Sequence, residues 1–385
     1  MNGEKENGFP LCRRCAAAYN KTASASDEKT CHVCKGACAN IDSLIQAALG
    51  QSKGYDWKTF SITSSIPKEI LVREEALLDE IGMDGVKTLK NVLNAEISEK
   101  ITRLTGAKNS SKNPDAIITI DFLRKKGKFL SAPLYIFGRY LKFSREMPQS
   151  KWGCGVCGGK GCDKCAGTGK RYLALEDILA DMFRETCESE GTKFHSAGRE
   201  DIDARMLGEG RPFVIELESP KKREVDLKKI EEKMNARADV GVRGLRFVPS
   251  RMVQILSWAR FDKEYEALVE LEGKDEHEID EAIRKIEGLS GVMLLQQTPS
   301  RVLHRRADKV RERIVKKVSV SKENDKSGKA LLRVKVLAQA GTYIKELVHG
   351  DNGRTKPSIA ELVGPAKCIS LDVIRIRDKL LEDCL

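Results

Sequence analysis

In the first part of the chain, some stretches space their hydrophobic residues as a helix does and others as a strand does. An amphipathic patch at residues 41–49 precedes a β-branched run with period-two alternation. Such alternation predicts a half-buried strand, whereas apolar residues three and four positions apart predict the buried face of a helix. The pattern predicts strands at 59–66 and 116–122, helices at 72–81 and 86–104, and a strand pair within 128–143 that breaks at Gly138. This mixture predicts a small α+β module over residues 41–150.

The second half of the chain is richer in strand-like runs. Strands are predicted at 212–217, 253–258, 265–271, 310–320 and 331–337, and helices at 175–186, 225–234 and 276–286. Strands that outnumber helices in this way predict an α+β domain with a largely antiparallel sheet. Glycine-rich sequence separates this domain from the module before it, so the chain is predicted to divide into 1–40, 41–150, 151–172 and 173–385.

Charge is distributed unevenly over the 385 residues. The formal net charge is +11, and residues 301–356 contain 16 Lys and Arg against 6 Asp and Glu. A basic segment attracts a polyanion such as a nucleic acid backbone, although a solvated basic face would have the same composition. No run of eighteen apolar residues occurs and the first ten residues are mostly polar, so we expect no membrane span, no secretory signal and a cytoplasmic protein.

Nine of the twelve cysteines fall in two clusters, which is typical of metal ligation rather than of a disulfide framework. The first cluster contains two Cys-x2-Cys pairs, formed by Cys12, Cys15, Cys31 and Cys34. Each pair can present two thiolates from one tight turn, and four thiolates complete a tetrahedral, structural zinc site. A redox-active pair, or a site that uses His32 or Cys38, are the alternatives.

The second cluster consists of two consecutive Cys-x2-Cys-x-Gly-x-Gly units, the one internal repeat of the sequence. Its cysteines are Cys154, Cys157, Cys162 and Cys165. Glycine beside a thiolate lets backbone amides approach the sulfur in a tight turn. We expect structural zinc here too, with a metal-free thiol loop or an iron–sulfur cluster as alternatives. Some chaperone domains contain the same unit, but the sequence lacks the His-Pro-Asp tripeptide of a J-type co-chaperone.

Two polar segments have a pattern of residues that the packing of a hydrophobic core does not require. Residues 196–213 alternate acids and arginines between glycines, and residues 340–357 combine Tyr, Lys, Arg and Gly inside the basic segment. A purely structural interpretation makes the first an exposed loop with weak surface ion pairs, and the second a strand end, a helical turn and a phosphate-contacting loop.

These segments resemble the Pus-ten family of tRNA pseudouridine synthases of archaea and eukaryotes, and the short chain resembles the archaeal branch. The resemblance is carried by residues 198–205 (Gly-Arg-Glu-Asp-Ile-Asp-Ala-Arg), 301–306 (Arg-Val-Leu-His-Arg-Arg), 341–346 (Gly-Thr-Tyr-Ile-Lys-Glu) and 353–357 (Gly-Arg-Thr-Lys-Pro). Residues 137–140 and 144–149 resemble the end of the family's accessory domain. The resemblance spans nearly the whole chain. It implies a zinc-bearing, THUMP-containing α+β domain that binds RNA, followed by a pseudouridine synthase domain with a mixed, largely antiparallel sheet.

The resemblance also implies a reaction. Members of the family isomerise uridine to pseudouridine in the T-loop of tRNA, at positions 54 and 55, with one aspartate and no organic cofactor. By motif position the catalytic residues are Asp201 and Arg199, and the uracil-binding residues are Tyr265, Tyr343, Ile344, Lys345 and Leu371. The basic residues expected on RNA are Arg301, Arg305, Arg306, Arg354 and Lys356. We expect tRNA as the partner and no obligate protein partner.

The chemistry of a carboxylate suits this reaction in two ways. Asp201 can attack the sugar as a nucleophile, or it can act as a base that promotes elimination. Either role requires an ionised carboxylate in a site closed to water, so a neighbouring cation such as Arg199 should offset the cost of burial. Lys345 is a second candidate partner for Asp201.

Other RNA-modifying enzymes are the main rivals, together with a zinc-dependent RNA-binding protein that has no activity. A methyltransferase needs a glycine-rich strand–turn–helix for its cofactor, and no such segment follows Gly169. A thiouridine enzyme needs catalytic cysteines, and the later ones, Cys187, Cys368 and Cys384, have no activating context.

Overall fold

The chain folds into two compact units. The computed structural model describes residues 9–25, 27–82, 85–273, 276–323, 330–378 and 381. The first unit runs to Leu134 and includes two later segments, 186–191 and 217–225, and the second unit contains the rest. The strand Leu134–Lys142, at this change of unit, belongs to the large sheet of the second unit.

The first unit is an α+β module. Its strands form a four-stranded sheet in the order β2-β1-β3-β4, parallel except for the β3–β4 hairpin. Its core consists of buried apolar side chains from the helices and the sheet, among them Phe60, Ile97 and Ile118. The elements are α1 Arg13–Ala18, α2 Ile41–Gln51, β1 Thr59–Ser65, α3 Lys68–Ile81, α4 Leu89–Thr105, β2 Lys108–Asn109, β3 Ala116–Asp121 and β4 Lys126–Ser131.

The second unit is built on a mixed, largely antiparallel sheet, as predicted. Its strand order is β10-β5-β9-β16-β11-β14-β13-β12-β15, with β8 also paired to β9. The strands are β5 Leu134–Lys142, β6 Trp152–Gly153, β7 Lys170–Tyr172, β8 Gly191–Ser196, β9 Ala204–Glu218, β10 Val240–Phe247, β11 Asp262–Leu271, β12 Met293–Gln297, β13 Val310–Glu323, β14 Ala330–Ala338, β15 Thr355–Lys356 and β16 Ala366–Arg377. The helices are α5 Leu175–Cys187, α6 Leu227–Asn235, α7 Arg251–Trp258, α8 Glu276–Glu287, α9 Ile344–His349 and α10 Ile359–Val363.

Two sequence predictions of local structure are wrong. Residues 253–258, predicted as a strand, lie in α7, where the buried residues Met252 and Leu256 are spaced four apart, as on a helix face. Gly138 does not break a strand pair but lies inside β5, and a Cβ there would come 2.5 Å from Leu245 and 2.9 Å from Phe213. Gly138 therefore permits close packing. The strands before and after Ala132–Pro133, β4 and β5, do not pair but belong to different sheets.

None of the helices in the described residues is long and apolar enough to span a bilayer.

Candidate active site

A cleft of about 600 Å³ opens on the sheet of the second unit. Strands β11 and β16 supply its floor, because Tyr265 on β11 is paired with Val373 on β16. Strand β16 also pairs in parallel with the start of β9, where Leu371 is opposite Ala204. Residues 197–203 immediately precede β9, so this pairing fixes the loop that contains Asp201 at the rim of the cleft.

Asp201 lies between two cations in this cleft. The Arg301 guanidinium donates to Asp201 Oδ1 at 2.9 Å, and Lys345 Nζ lies 3.7 Å from Asp201 Oδ2. The side chain retains 31 % exposure, so it is accessible from the cleft. Arg301 is held in turn by the buried Glu346, whose Oε1 accepts from Arg301 Nε at 2.7 Å. The arrangement presents one carboxylate oxygen held by Arg301 and a second without a hydrogen bond among the described residues.

Lys345 makes its shortest contacts with a different carboxylate. Its Nζ lies 2.6 Å from both Oδ atoms of Asp203. Although partial burial acts in the opposite direction, the hydrogen bonds from Lys345 lower the pKa of Asp203 below its ordinary value. Lys345 therefore joins the two acids of the loop, and lies closer to Asp203 than to Asp201.

The cation beside Asp201 is not Arg199, the neighbour that the sequence suggests for this place. Arg199 lines the cleft but is exposed, and it makes no ion pair with a described residue. Arg301, assigned from sequence to the RNA backbone, instead supplies the cation beside Asp201. Asp201 and Arg301 are one hundred positions apart, so closeness in sequence does not identify the cation that pairs with Asp201.

The predicted uracil-binding residues converge on the same cleft. The residues that line it include Tyr265, Tyr343, Ile344, Lys345 and Leu371. Tyr265 is 9 % exposed, and burial raises its pKa to about 12, so its phenol is neutral at ordinary pH. Ile344 and Leu371 are buried at 3 % and 7 % exposure. An aromatic ring and aliphatic walls beside a carboxylate form a cavity suited to a flat heterocycle attached to a sugar.

A buried network that sequence analysis missed supports the loop from below. The side chains of Glu200 and Arg211 are each 1 % exposed and form an ion pair at 2.9 Å. Arg211 also donates to the carbonyl of Ala197 at 2.8 Å. Tyr140 on β5 donates to Glu200 Oε2 at 2.9 Å, and Gln149 Nε2 donates to the Tyr140 hydroxyl at 2.6 Å and to the carbonyl of Gly198 at 2.9 Å. The network fixes both ends of the loop segment that precedes Asp201.

Lys142 holds the other side of the loop. This lysine is fully buried, and its ammonium lies 2.8 Å from the carbonyl of Ile202 and 2.9 Å from that of Met147. Burial lowers its pKa to about 8. The segments 137–140 and 144–149, which resemble the end of an accessory domain in sequence, therefore lie in the second unit and flank a lysine that positions its acidic loop.

The buried network gives a prediction for stability. Replacing Tyr140 with Phe removes one acceptor of the Gln149 amide, and it leaves Glu200 Oε1 without the hydroxyl that is its hydrogen-bond partner among the described residues. We expect Tyr140→Phe to lower the free energy of unfolding by about 1–3 kcal/mol, measured by denaturant titration. Tyr135→Phe on the same strand is the matched control, since its hydroxyl makes no hydrogen bond within the described part of the chain. It should change stability by no more than about 0.5 kcal/mol. Equal effects of the two substitutions would show that the network does not stabilise the fold.

The remaining basic residues differ in exposure and in whether contacts within the fold hold their side chains. Arg306 is exposed at the cleft and donates to the Tyr343 hydroxyl at 2.9 Å, and Lys356 is exposed. Arg354 is instead tied into the fold, with its guanidinium 2.6 Å from Asp308 and 2.8 Å from the carbonyl of Thr298. The side chain of Arg305 lies outside the described residues.

The first cysteine cluster is assembled as the spacing predicts. The ligand atoms of Cys12, Cys15, Cys31 and Cys34 all lie within 4.8 Å of one another. All four are at most 4 % exposed, and Cys12 Sγ is 3.6 Å from Cys34 Sγ. Four converging, buried thiols are a donor set that fits a tetrahedral metal ion such as zinc. Cys38 is equally buried but lies outside this set.

The second cluster also brings its four sulfurs within 4.8 Å of one another. The amides of Gly161 and Gly169 each lie 3.2 Å from a cysteine sulfur, Cys157 and Cys165 respectively. Both glycines have positive φ, and a Cβ would come within 2.6 Å of a facing carbonyl oxygen at either one. The repeated glycines therefore permit the amide-to-sulfur contacts that the sequence predicts.

Comparison with known proteins assigns both units to one family. Residues 135–377 match the family model described as Pus10, C-terminal, and residues 44–121 match the Pus10 THUMP domain, archaeal. A tRNA pseudouridine synthase Pus10 of Archaeoglobus fulgidus is 37 % identical over 95 % of this chain and 99 % of that protein. Its counterpart in Methanopyrus kandleri is 37 % identical over 98 % and 88 % of the respective chains. A chain of the Cbf5-Nop10-Gar1 complex is similar with a TM-score of 0.34 and 17 % identity, covering 62 % of this chain and 48 % of that one.

These relatives are pseudouridine synthases, a class of isomerases. The chain belongs to the Pus10 family.

Proposed function

We propose that this chain converts uridine to pseudouridine in the T-loop of tRNA, at positions 54 and 55, with Asp201 as the catalytic residue. The observation that carries the proposal is the placement of Asp201 beside Arg301, at the rim of a cleft that contains Tyr265. A carboxylate next to a cavity that contains an aromatic ring, aliphatic side chains and cations can act on the sugar while the cavity holds the base.

The reaction needs a glycosidic bond broken and a carbon–carbon bond formed. The bond from C1′ of the ribose to N1 of uracil breaks, the base rotates, and C5 joins C1′ while the C5 proton leaves and N1 gains one. Asp201 assists the first step through Oδ2, either as a nucleophile at C1′ or as a base that promotes elimination. Arg301 holds Oδ1, so the oxygen without a hydrogen bond is the one directed to this task.

The base must leave the RNA stack before it reaches Asp201. Extruding a nucleotide costs a few kcal/mol, which stacking and apolar contacts in the pocket offset. Tyr265 is positioned to stack on the uracil, and Ile344 and Leu371 to contact its edges. We assign Lys345 to orienting the acidic loop, since its shortest contacts are with Asp203.

The position of modification is tested by mapping pseudouridine in unmodified tRNA transcripts after incubation with the protein. We expect product at 54 and 55, and replacement of either uridine by cytidine should remove product at that position alone. Product confined to another arm of the tRNA would contradict the assignment to the T-loop.

Only basic residues that are exposed and not held in ion pairs within the fold can contact phosphate. Arg306 and Lys356 are exposed, whereas Arg301 and Arg354 are engaged in ion pairs within the fold. Replacing Arg306 and Lys356 with Ala should weaken tRNA binding and reduce the log–log salt slope by roughly 0.7–0.9 per lost contact. Filter binding over a range of KCl concentrations measures this slope.

Tyr265→Ala is the contrasting variant in this measurement. Stacking on one extruded base is a local interaction, so this change should lower turnover of bound tRNA and leave the salt slope unaltered. An unchanged slope in the Arg306/Lys356 variant would show that the exposed cations do not contact RNA.

We further propose that both cysteine clusters hold structural zinc. Four thiolates leave no open coordination position, so the role of each ion is to hold its fold. No organic cofactor is needed for the proposed chemistry.

A further inference from the structure

The segment that contains the second cysteine cluster has no role in the cleft. We call residues 151–173 the knuckle. It contains five Lys and Arg and a single acid, Asp163. Most of this charge lies in and just after the two repeated units, so the metal-binding turns and the charge occupy the same surface.

Three of the five cations are free of internal ion pairs. Lys170 lies 2.8 Å from Asp177, and Lys151 lies 3.7 Å from Glu176. Lys160, Lys164 and Arg171 are exposed and have no carboxylate partner among the described residues. Charges that the fold does not neutralise are available to an external anion.

Apolar surface lies next to these cations. A cavity of about 860 Å³ is lined by Val156, Lys164, Arg171, Tyr172 and Leu173, with Asp163 as its one carboxylate. Val156 is 65 % exposed and Leu173 is 54 % exposed. The Arg171 guanidinium lies over the ring of Tyr172, 5.3 Å from its centroid. The surface therefore combines phosphate-binding cations with a small apolar area and a flat guanidinium suited to a nucleobase.

The knuckle presents this surface on a rigid frame. Strands β6 and β7 close its base, with Trp152 paired to Tyr172 and their rings in an edge contact at 5.7 Å. The amide-to-sulfur contacts of Gly161 and Gly169 fix the two turns. A preformed surface loses little conformational entropy when it binds a ligand.

We infer that the knuckle is a second RNA-binding surface, which contacts an unpaired part of the tRNA substrate outside the catalytic cleft. Lys160, Lys164 and Arg171 bind phosphates, and the surface between Val156 and Leu173 contacts a base. The inference rests on the proposed function for the identity of the ligand. A polyanion fits this surface better than an acidic protein, because the exposed apolar area is confined to two side chains beside the three cations.

The test compares tRNA binding by two triple variants of the full chain. Lys160, Lys164 and Arg171 are replaced with Ala in one variant. In the control, Lys228, Lys229 and Lys233 of α6 are replaced with Ala, which removes the same charge from a helix that also contains Glu231 and Glu232. Binding of an unmodified tRNA transcript is measured over a range of KCl concentrations. We expect the knuckle variant to lower the salt slope by roughly 2.1–2.7, at roughly 0.7–0.9 for each of three contacts, and the control to leave it unchanged.

Two further measurements distinguish the loss of phosphate contacts from a disturbed knuckle structure. Metal content of the knuckle variant shows whether the four cysteines still hold an ion. The single substitution Lys164→Glu leaves the cysteines untouched and should also weaken binding. An unaltered slope and affinity in both knuckle variants would overturn the inference, as would an equal loss in the α6 control. Binding is measured without turnover, so a chain that bound tRNA through the knuckle but made no pseudouridine would refute the proposed function alone.

Discussion

Asp201→Asn should reduce pseudouridine formation by at least about a thousandfold, a barrier increase of roughly 4 kcal/mol. The amide has nearly the same shape as the carboxylate, but it can act neither as a nucleophile nor as a base. The fold should be retained, since the buried supports of the loop, Glu200, Arg211 and Lys142, are unaltered. The measurement is product formed per minute on saturating tRNA, together with tRNA affinity, which should change little.

Asp203→Asn is the matched control for this prediction. Both aspartates belong to the same loop and both lie near Lys345. Asp203 is 56 % exposed and, in our account, serves only to anchor that lysine. Its substitution should keep turnover within about tenfold of the parent, which corresponds to about 1.4 kcal/mol. Equal losses at the two positions would contradict the assignment of the chemistry to Asp201.

The joint replacement of Cys12 and Cys15 with Ser should have the largest effect on folding. These buried thiols contribute half of the first four-sulfur set. Structural zinc contributes on the order of 10 kcal/mol to the folding of small zinc domains, so its loss should unfold the region around the cluster. We expect the variant to lose about one zinc per chain, since the proposed four-thiolate site binds one ion. Elemental analysis and a thermal melt measure the two effects.

Cys38→Ser distinguishes the four-cysteine site from the alternative that uses Cys38. Cys38 is 1 % exposed, as Cys34 is, but its sulfur lies outside the set of four. This variant should retain its zinc. Full zinc content in the Cys12/Cys15 variant, with an unchanged melt, would contradict a structural zinc site there.

Sequence reasoning found features that depend on local spacing. The two Cys-x2-Cys pairs predicted a four-sulfur cluster, and the structure brings those sulfurs together. A strand-like run predicts a strand at 265–271, and Tyr265 lies on β11 and lines the cleft. Both features follow from a short repeat in the sequence, because a turn or a pleated strand alone sets the direction of the side chains.

Features that depend on distant partners could not be predicted in this way. Asp201 pairs with Arg301 rather than with the neighbouring Arg199, because the cleft brings distant segments together. Lys142 lies between two segments that resemble the end of an accessory domain, yet its ammonium lies 2.8 Å from the carbonyl of Ile202 in the acidic loop. The helix α7 was mistaken for a strand because its short run, Val-Gln-Ile-Leu-Ser-Trp, is rich in residues that favour strands.

Release of tritium from tRNA labelled at C5 of uridine is the most direct test of the central claim. Moving the glycosidic bond from N1 to C5 expels that hydrogen, whereas methylation at another atom, thiolation or simple binding leaves it in place. We predict that the parent protein, with no added cofactor, releases tritium from tRNA and that Asp201→Asn does not. Tight binding of the labelled tRNA without tritium release by the parent would contradict the account.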